Sequence, residues 1–300
     1  MGMGRDICDN FKAARLVFEE AEDEIRLNLR KLIFEGPEDE LSKTENTQPA
    51  ILVLSMAVLA AIRDAGVGSK SPATFCAGHS LGEYSALSAA SALDVRQAVG
   101  LVRKRGEFMQ AAVPEGIGAM AAVIGLDKEK LEGLLKDVST THEAVAAANF
   151  NAPGQIVISG HRQAVGRVEE KAKGAGALKV IILKVSVPSH CPLMAPAAER
   201  LKKELEGLPF SEPRVRVISN VTAAPYPGKD EVVDLLTRQL VSPVRWEESV
   251  RYMINQGVTD FIEVGPGKVL AGLVKRIDGK AGASSVGDLG SLREAEKKYQ

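Results

Sequence analysis

The chain has 300 residues, a hydrophobic fraction of 45% and a formal net charge of −1 at pH 7. That length and apolar content suit one large domain or two smaller ones with a well-buried core, and near-neutrality argues against an electrostatic nucleic-acid binder and against a polybasic membrane anchor. Three cysteines (Cys8, Cys76 and Cys191), far apart and without C-x-x-C spacing, argue against a disulfide framework or a zinc site and for free thiols in a reducing compartment.

In chain order, Phe11, Ala14, Phe18, Ala21 and Ile25 fall at helical spacing and predict a helix over Asn10–Leu29. Pro49–Ala65 predicts a buried helix entered at the proline and ended by Gly66. The uncharged run Thr47–Ile62 is too short to span a bilayer. No basic n-region followed by an apolar h-region opens the chain, so a soluble cytoplasmic protein is expected. Ala73–Ala77 reads as a short strand, and Glu83–Ala90 as a helix of small residues. Between them stands Gly78-His79-Ser80-Leu81-Gly82, a serine between two glycines at a strand-to-helix turn, the nucleophile-elbow pattern. Small residues are needed where strand and helix backbones approach. The turn holds the serine oxygen out at the strand end, where the helix N-terminus and the Leu81 N–H face charge developing on a carbonyl under attack.

Asp94 with Gln97 three residues on predicts a capped helix to about Ala112, broken by Gly and Pro near 114–116. The next segment predicts a strand (Ile117–Ile124), a helix (Lys128–Val138), two strands (Ala144–Phe150, Gln155–Ser159), a helix (Gln163–Lys173) and a strand (Leu178–Val185). This β-α-β-β-α-β order is the ferredoxin-like split, with Asn151-Ala152-Pro153-Gly154 as a hairpin loop. The expected fold is therefore α/β: a larger domain over 1–115 and 186–300, with a subdomain over 116–185 inserted in it. Pro192–Leu208, Lys229–Leu240 and Glu247–Gln256 read as helices, and Val215–Ser219 and Asp260–Val264 as strands. Gly265-Pro266-Gly267 turns into a final helix, and a Gly/Ser/Ala-rich tail from Gly279 predicts mobility.

Ser80 needs a base. Among the four histidines, His142 and His161 sit in polar connections, and His79 is placed to shape the elbow. His190 lies in Val187-Pro188-Ser189-His190-Cys191-Pro192, a loop fixed by two prolines where the chain returns to the large domain. On the Asp94–Ala112 helix Arg105 falls in one stripe with Ala98, Val102 and Met109. An arginine there cannot shed its proton and needs a partner. It either pairs with a buried Asp or Glu or awaits a carboxylate on a ligand. No acid for a triad is evident, and the mid-chain His190 disfavours an ordinary esterase, whose histidine comes late. A backbone or amide carbonyl could orient the ring instead.

Read together, the motifs are specific. They are Gly78–Leu87, Arg103-Lys104-Arg105-Gly106-Glu107-Phe108-Met109-Gln110, Gly118-Ala119-Met120-Ala121-Ala122, Asn149-Phe150-Asn151-Ala152-Pro153-Gly154-Gln155, Val187–Cys191 and Glu263-Val264-Gly265-Pro266-Gly267-Lys268-Val269-Leu270. Over nearly its whole length the chain resembles the malonyl-CoA:acyl carrier protein transacylases of bacterial fatty acid synthesis. The resemblance implies an α/β-hydrolase-like core with a ferredoxin-like insert, Ser80 as acylated nucleophile, His190 as base and Arg105 as the grip on the malonyl carboxylate. It implies that Gln239 supplies the carbonyl that orients the histidine. Asn151 would line the site, with His79 and Leu81 beside the substrate.

Malonyl-CoA and acyl carrier protein are the implied partners, with no metal or bound cofactor, and a monomer is expected. The family begins with a buried strand and a Gly-Gln-Gly-Ser-Gln loop ahead of the Gly-Met-Gly that stands here as Gly2-Met3-Gly4. A sheet without that first strand, and an oxyanion hole without that loop's glutamine, are therefore expected. A serine thioesterase, or a carrier-protein-binding module without activity, are the rival readings.

Overall fold

Helices packed with short parallel strands make up the larger part of the molecule, described by a computed structural model over residues 2–69, 72–185 and 187–299. The N-terminal part is helical: α1 (Arg5–Asn10), α2 (Lys12–Ile25), α3 (Leu29–Glu35), α4 (Glu38–Ser42) and α5 (Thr44–Asp64). The helix expected over Asn10–Leu29 is interrupted, because Arg26 turns left-handed at φ 51 and closes α2. The helix expected to enter at Pro49 begins at Thr44. A proline forbids continuation only through its own missing N–H and the carbonyl one turn back, so the first turn forms ahead of it. The helix has 21 residues, and an 18-residue window of it has a mean hydropathy of 1.4, long and apolar enough to cross a membrane by length and composition alone, although the uncharged run Thr47–Ile62 within it is shorter. Two-thirds of that window is buried, and α5 packs on α2, α6 and α7 as a core helix.

β1 (Phe75–Ala77) leads into α6 (Leu81–Ala89), and α7 (Val95–Ala112) follows. Asp94 caps α7 by accepting from the Arg96 and Gln97 amides, as its position predicts. α7 crosses α5 at very short range. A Cβ on Gly106 would lie 2.5 Å from the Glu45 Cα, so only glycine permits the approach. That contact presses the α7 stripe of Ala98, Val102, Arg105 and Met109 into the core.

The next elements are β2 (Gly118–Ile124), α8 (Lys128–Val138), β3 (Val145–Ala152), β4 (Gln155–His161), α9 (Arg162–Ala172) and β5 (Lys179–Ile182). They form an antiparallel sheet in the order β3-β4-β2-β5, with their own buried cluster under α8 and α9 that includes Val123, Leu131, Ile158 and Val168. β3 is an edge strand of that sheet. Its outer edge is satisfied from the larger part: the Phe150 amide donates to the Val244 carbonyl and the Val244 amide to the Ala148 carbonyl, each at 2.9 Å.

α10 (Ala195–Glu206), β6 (Arg216–Ile218), α11 (Val232–Gln239), α12 (Trp246–Asn255), β7 (Asp260–Val264) and α13 (Val269–Ile277) follow. β1 pairs in parallel with β6. The tail from Gly279, expected to be mobile, forms β8 (Gly282–Val286), parallel to β7, and α14 (Leu289–Tyr299). A composition of small residues hides this order, because it comes from the ladder to β7 and from burial of Val286, Leu292 and Ala295, none of which is a local property.

Candidate active site

The elbow is built by a backbone contact. A Cβ on Gly78 would stand 1.9 Å from the Gly82 carbonyl oxygen, so strand and helix can approach this closely only at glycine. A Gly78→Ala protein is expected to lose roughly 3 kcal/mol or more of stability, at the upper end for overpacking. A fall in the urea midpoint at unchanged slope would record it. Ser80 takes the strained backbone of such a turn, with φ 52 and ψ −107. Asn220, just past β6, holds that geometry from both sides. Its side-chain oxygen accepts the Ser80 N–H at 2.7 Å and its amide donates to the Gly78 carbonyl at 2.7 Å.

His190 is 3% exposed and also has positive φ, at 60. Its Nε2 lies 2.7 Å from Ser80 Oγ, and its Nδ1 lies 2.8 Å from the Gln239 backbone carbonyl. A carbonyl can only accept, so Nδ1 carries the proton and Nε2 presents its lone pair to the serine. Burial, and then the neighbouring charge of Arg105, push the imidazole from 6.5 to about 3. It is therefore an unprotonated base throughout the neutral range.

Arg105 is 2% exposed, and every side chain its guanidinium donates to is neutral. Nη1 donates to Gln48 Oε1 at 2.6 Å, and Nη2 donates to Ser80 Oγ at 3.1 Å and to Gln239 Oε1 at 3.2 Å. Its Nε has no hydrogen-bond partner among the described residues, although it is buried. The guanidinium also lies over the Tyr84 ring, 5.4 Å from its centroid. Of the two readings open in the sequence, direct pairing with a buried acid does not occur among the described residues. A buried cation with an unfilled donor beside a nucleophile is a place for an anionic ligand.

Leu81 opens α6, where an amide has no acceptor within its own helix. His79 does not reach Ser80. Its Nε2 meets Asn151 Oδ1 at 2.9 Å and its ring tilts against Trp246 at 5.8 Å, so it ties the elbow to β3. Asn151 thus borders the site from the small sheet. Gln239 contributes twice: its backbone carbonyl orients His190, and its side-chain amide donates to the Ser80 carbonyl at 2.9 Å.

The structure places Ser80, His190, Arg105 and Gln239 within hydrogen-bond reach of one another, pairs His79 with Asn151 beside the elbow, and sets Leu81 next to Ser80 at the start of α6. Sequence reasoning did not find Gln48, Asn220 or the acid beneath the elbow, Glu83, as parts of the site. A glutamine inside an apolar helix and an asparagine at the carboxyl end of a parallel strand were the available signals.

The acyl transferase domain family matches residues 1–299. The malonyl CoA-acyl carrier protein transacylase of Bacillus subtilis (strain 168) is 48% identical over 288 residues, covering 96% of this chain and 90% of that protein. An acyl carrier protein S-malonyltransferase from Vibrio cholerae superposes with a TM-score of 0.95 at 44% identity, over 98% of this chain and 95% of its own. A malonyl-transacylase solved in complex with its type II PKS acyl-carrier protein superposes equally, with a TM-score of 0.95 at 44% identity, over 99% and 95%.

Proposed function

We infer the mechanism from a premise the comparisons establish: this chain belongs to the acyl transferase domain family, among the malonyl CoA-acyl carrier protein transacylases. It is an acyltransferase that moves a malonyl group from malonyl-CoA to acyl carrier protein in fatty acid synthesis. The transfer runs in two steps through an ester on Ser80. His190 Nε2 takes the Ser80 proton as the oxygen attacks the thioester carbonyl. The Leu81 N–H stabilises the tetrahedral oxyanion, and the CoA thiol leaves with the proton from His190. The phosphopantetheine thiol of the carrier protein then takes the acyl group by the reverse route. Arg105 receives the free malonyl carboxylate on its fork, and Asn151 and His79 border the acyl group. One observation carries this reading: a single serine oxygen lies within hydrogen-bond reach of both a neutral imidazole and a buried guanidinium whose direct side-chain partners are neutral.

Residues 1–115 and 186–300 form the α/β-hydrolase-like core, and 116–185 a ferredoxin-like insert. The strand order β3-β4-β2-β5 supports this division, while Met1, Lys70, Ser71, Ser186 and Gln300 lie outside the described residues. The reaction needs no resident metal or cofactor beyond the coenzyme A thioester substrate. A cytoplasmic monomer without membrane or nucleic-acid partners fits the near-neutral charge.

Brief incubation with malonyl-CoA is expected to add one malonyl mass to the intact protein, and acetyl-CoA to add little. The adduct should be absent from Ser80→Ala. An adduct that persists without Ser80 removes the nucleophile assignment, and acyl groups released only to water, never to a thiol acceptor, would make the enzyme a thioesterase.

A further inference from the structure

Beneath the elbow lies a carboxylate that the transfer chemistry does not use. Glu83, in the first turn of α6, is 0% exposed. Its Oε1 accepts from the Tyr226 hydroxyl, and its Oε2 accepts from Gln239 Nε2 at 2.6 Å and from the Asn220 backbone N–H at 3.2 Å. The other end of the same glutamine amide accepts from Arg105 Nη2 at 3.2 Å. A buried anion and a buried cation are thus joined through one neutral amide. The titratable groups around Glu83 are Tyr226 from the segment after β6, Tyr84 beside it on α6, Arg105 from α7 and, beyond Gln239, His190. Of these, Arg105 alone is cationic in the neutral range.

Two opposite charges removed from water compensate each other. An acyl carboxylate on Arg105 would change that balance, leaving two carboxylates to share one guanidinium where water is excluded. Two anions in one site cannot both stay ionised without a large penalty, and one takes a proton. The incoming carboxylate pairs directly with the fork, whereas Glu83 acts only through Gln239, so Glu83 is the weaker partner.

We propose that Glu83 is the exchangeable counter-ion of Arg105, taking up a proton from solution when a substrate carboxylate pairs with the guanidinium. The inference rests on the reading that Arg105 receives the malonyl carboxylate. The hydrogen bonds around Glu83 accommodate both states. A protonated Oε1 donates to Tyr226, whose hydroxyl turns from donor to acceptor, while Oε2 keeps its two donors. Burial already raises the Glu83 carboxyl from 4.5 to about 7, so the added proton is available near neutral pH. Acyl transfer itself is close to proton-neutral there, since the Ser80 proton departs on the CoA thiol. The proton on Glu83 returns to solution when the acyl group leaves.

Calorimetry of the wild-type protein with malonyl-CoA, in two buffers of unlike ionisation enthalpy, counts that proton. Intact mass counts the acyl-enzyme in the same samples. At about pH 7.5, roughly half to one proton per acyl-enzyme is expected. Glu83→Gln should form the adduct with about none, because its amide oxygen can accept from Gln239 and Asn220 and its nitrogen can donate to Tyr226. A wild-type adduct formed without uptake overturns the proposal, and this measurement does not depend on the variant folding. Equal uptake in Glu83→Gln also overturns it, by moving the acceptor to His190. If Arg105→Ala keeps the malonyl preference, the carboxylate reading falls and the proposal with it. If that preference is lost while the wild type takes up no proton, only the role of Glu83 falls.

Discussion

Removing the His190 ring is expected to slow acylation of Ser80 by malonyl-CoA roughly 10²- to 10⁴-fold, the usual contribution of a positioned general base. His190 sits at φ 60, so alanine there would add backbone strain to the chemical loss. Asparagine tolerates that conformation and is the cleaner substitution. His190→Asn should match His190→Ala in rapid-quench acylation while keeping a urea midpoint near that of the wild type. Equal activity in His190→Asn and wild type would remove the base assignment. The pH profile gives a second reading of the same group. A histidine held down to about 3 by burial and by Arg105 stays unprotonated well below 6.5, so kcat/KM should not fall along an ordinary histidine limb as the pH drops towards 5. The linkage has the same sign. The unfolded histidine binds a proton below 6.5 that the folded one refuses until about 3, so this group's share of stability is present above 6.5 and is lost as pH falls through that window.

Arg105→Ala is expected to reduce kcat/KM for malonyl-CoA by about 10²-fold or more, since truncating one partner of a buried charge pair costs about 2–5 kcal/mol. Acetyl-CoA, which brings no carboxylate to the guanidinium, should gain or hold its rate, so the malonyl-to-acetyl ratio collapses. Competition between the two thioesters, read by intact mass, measures that ratio directly. Arg105→Lys should recover only part of it. A lysine offers a point charge where Gln48, Gln239 and the acyl carboxylate meet a planar fork. A ratio unchanged in Arg105→Ala would mean that the cation serves packing alone.

The features legible in the sequence were those with a local signature. Ser80 announced itself because its two glycines, a strand before and a helix after lie within a few residues. Arg105 was visible because a helix of known period makes an inward cation conspicuous. His190 stood out between prolines at a change of segment. The capping of α7 by Asp94 is likewise a contact over two or three residues. Hidden features were those whose partners are distant in sequence. Gln48 reaches Arg105 across 57 residues, and Asn220 reaches Ser80 across 140. Neither side chain differs in type from any other amide in the chain. The order of the tail failed for the same reason, since β8 depends on a ladder to β7 and not on its own residues. Pro49 misled because the rule that places proline at a helix start is a preference of the first turn, and here one further turn forms ahead of it.

The two reacting residues are 110 positions apart, and the four-stranded sheet occupies most of the chain between them. Gln239, which holds the imidazole, is 159 positions from Ser80. No fragment of the chain can therefore assemble a reactive serine, however well its own helices and hairpins form. Closing loops of that length comes late, after local structure has made the closure worthwhile. During synthesis the serine stays inert until nearly the whole polypeptide has emerged, and a thioester-reactive hydroxyl is never displayed on a half-made chain. Malonylation is thus a chemical clock for the last docking event in folding. In a refolding experiment the adduct should appear after the helical signal has recovered, with the rate of the longest closure.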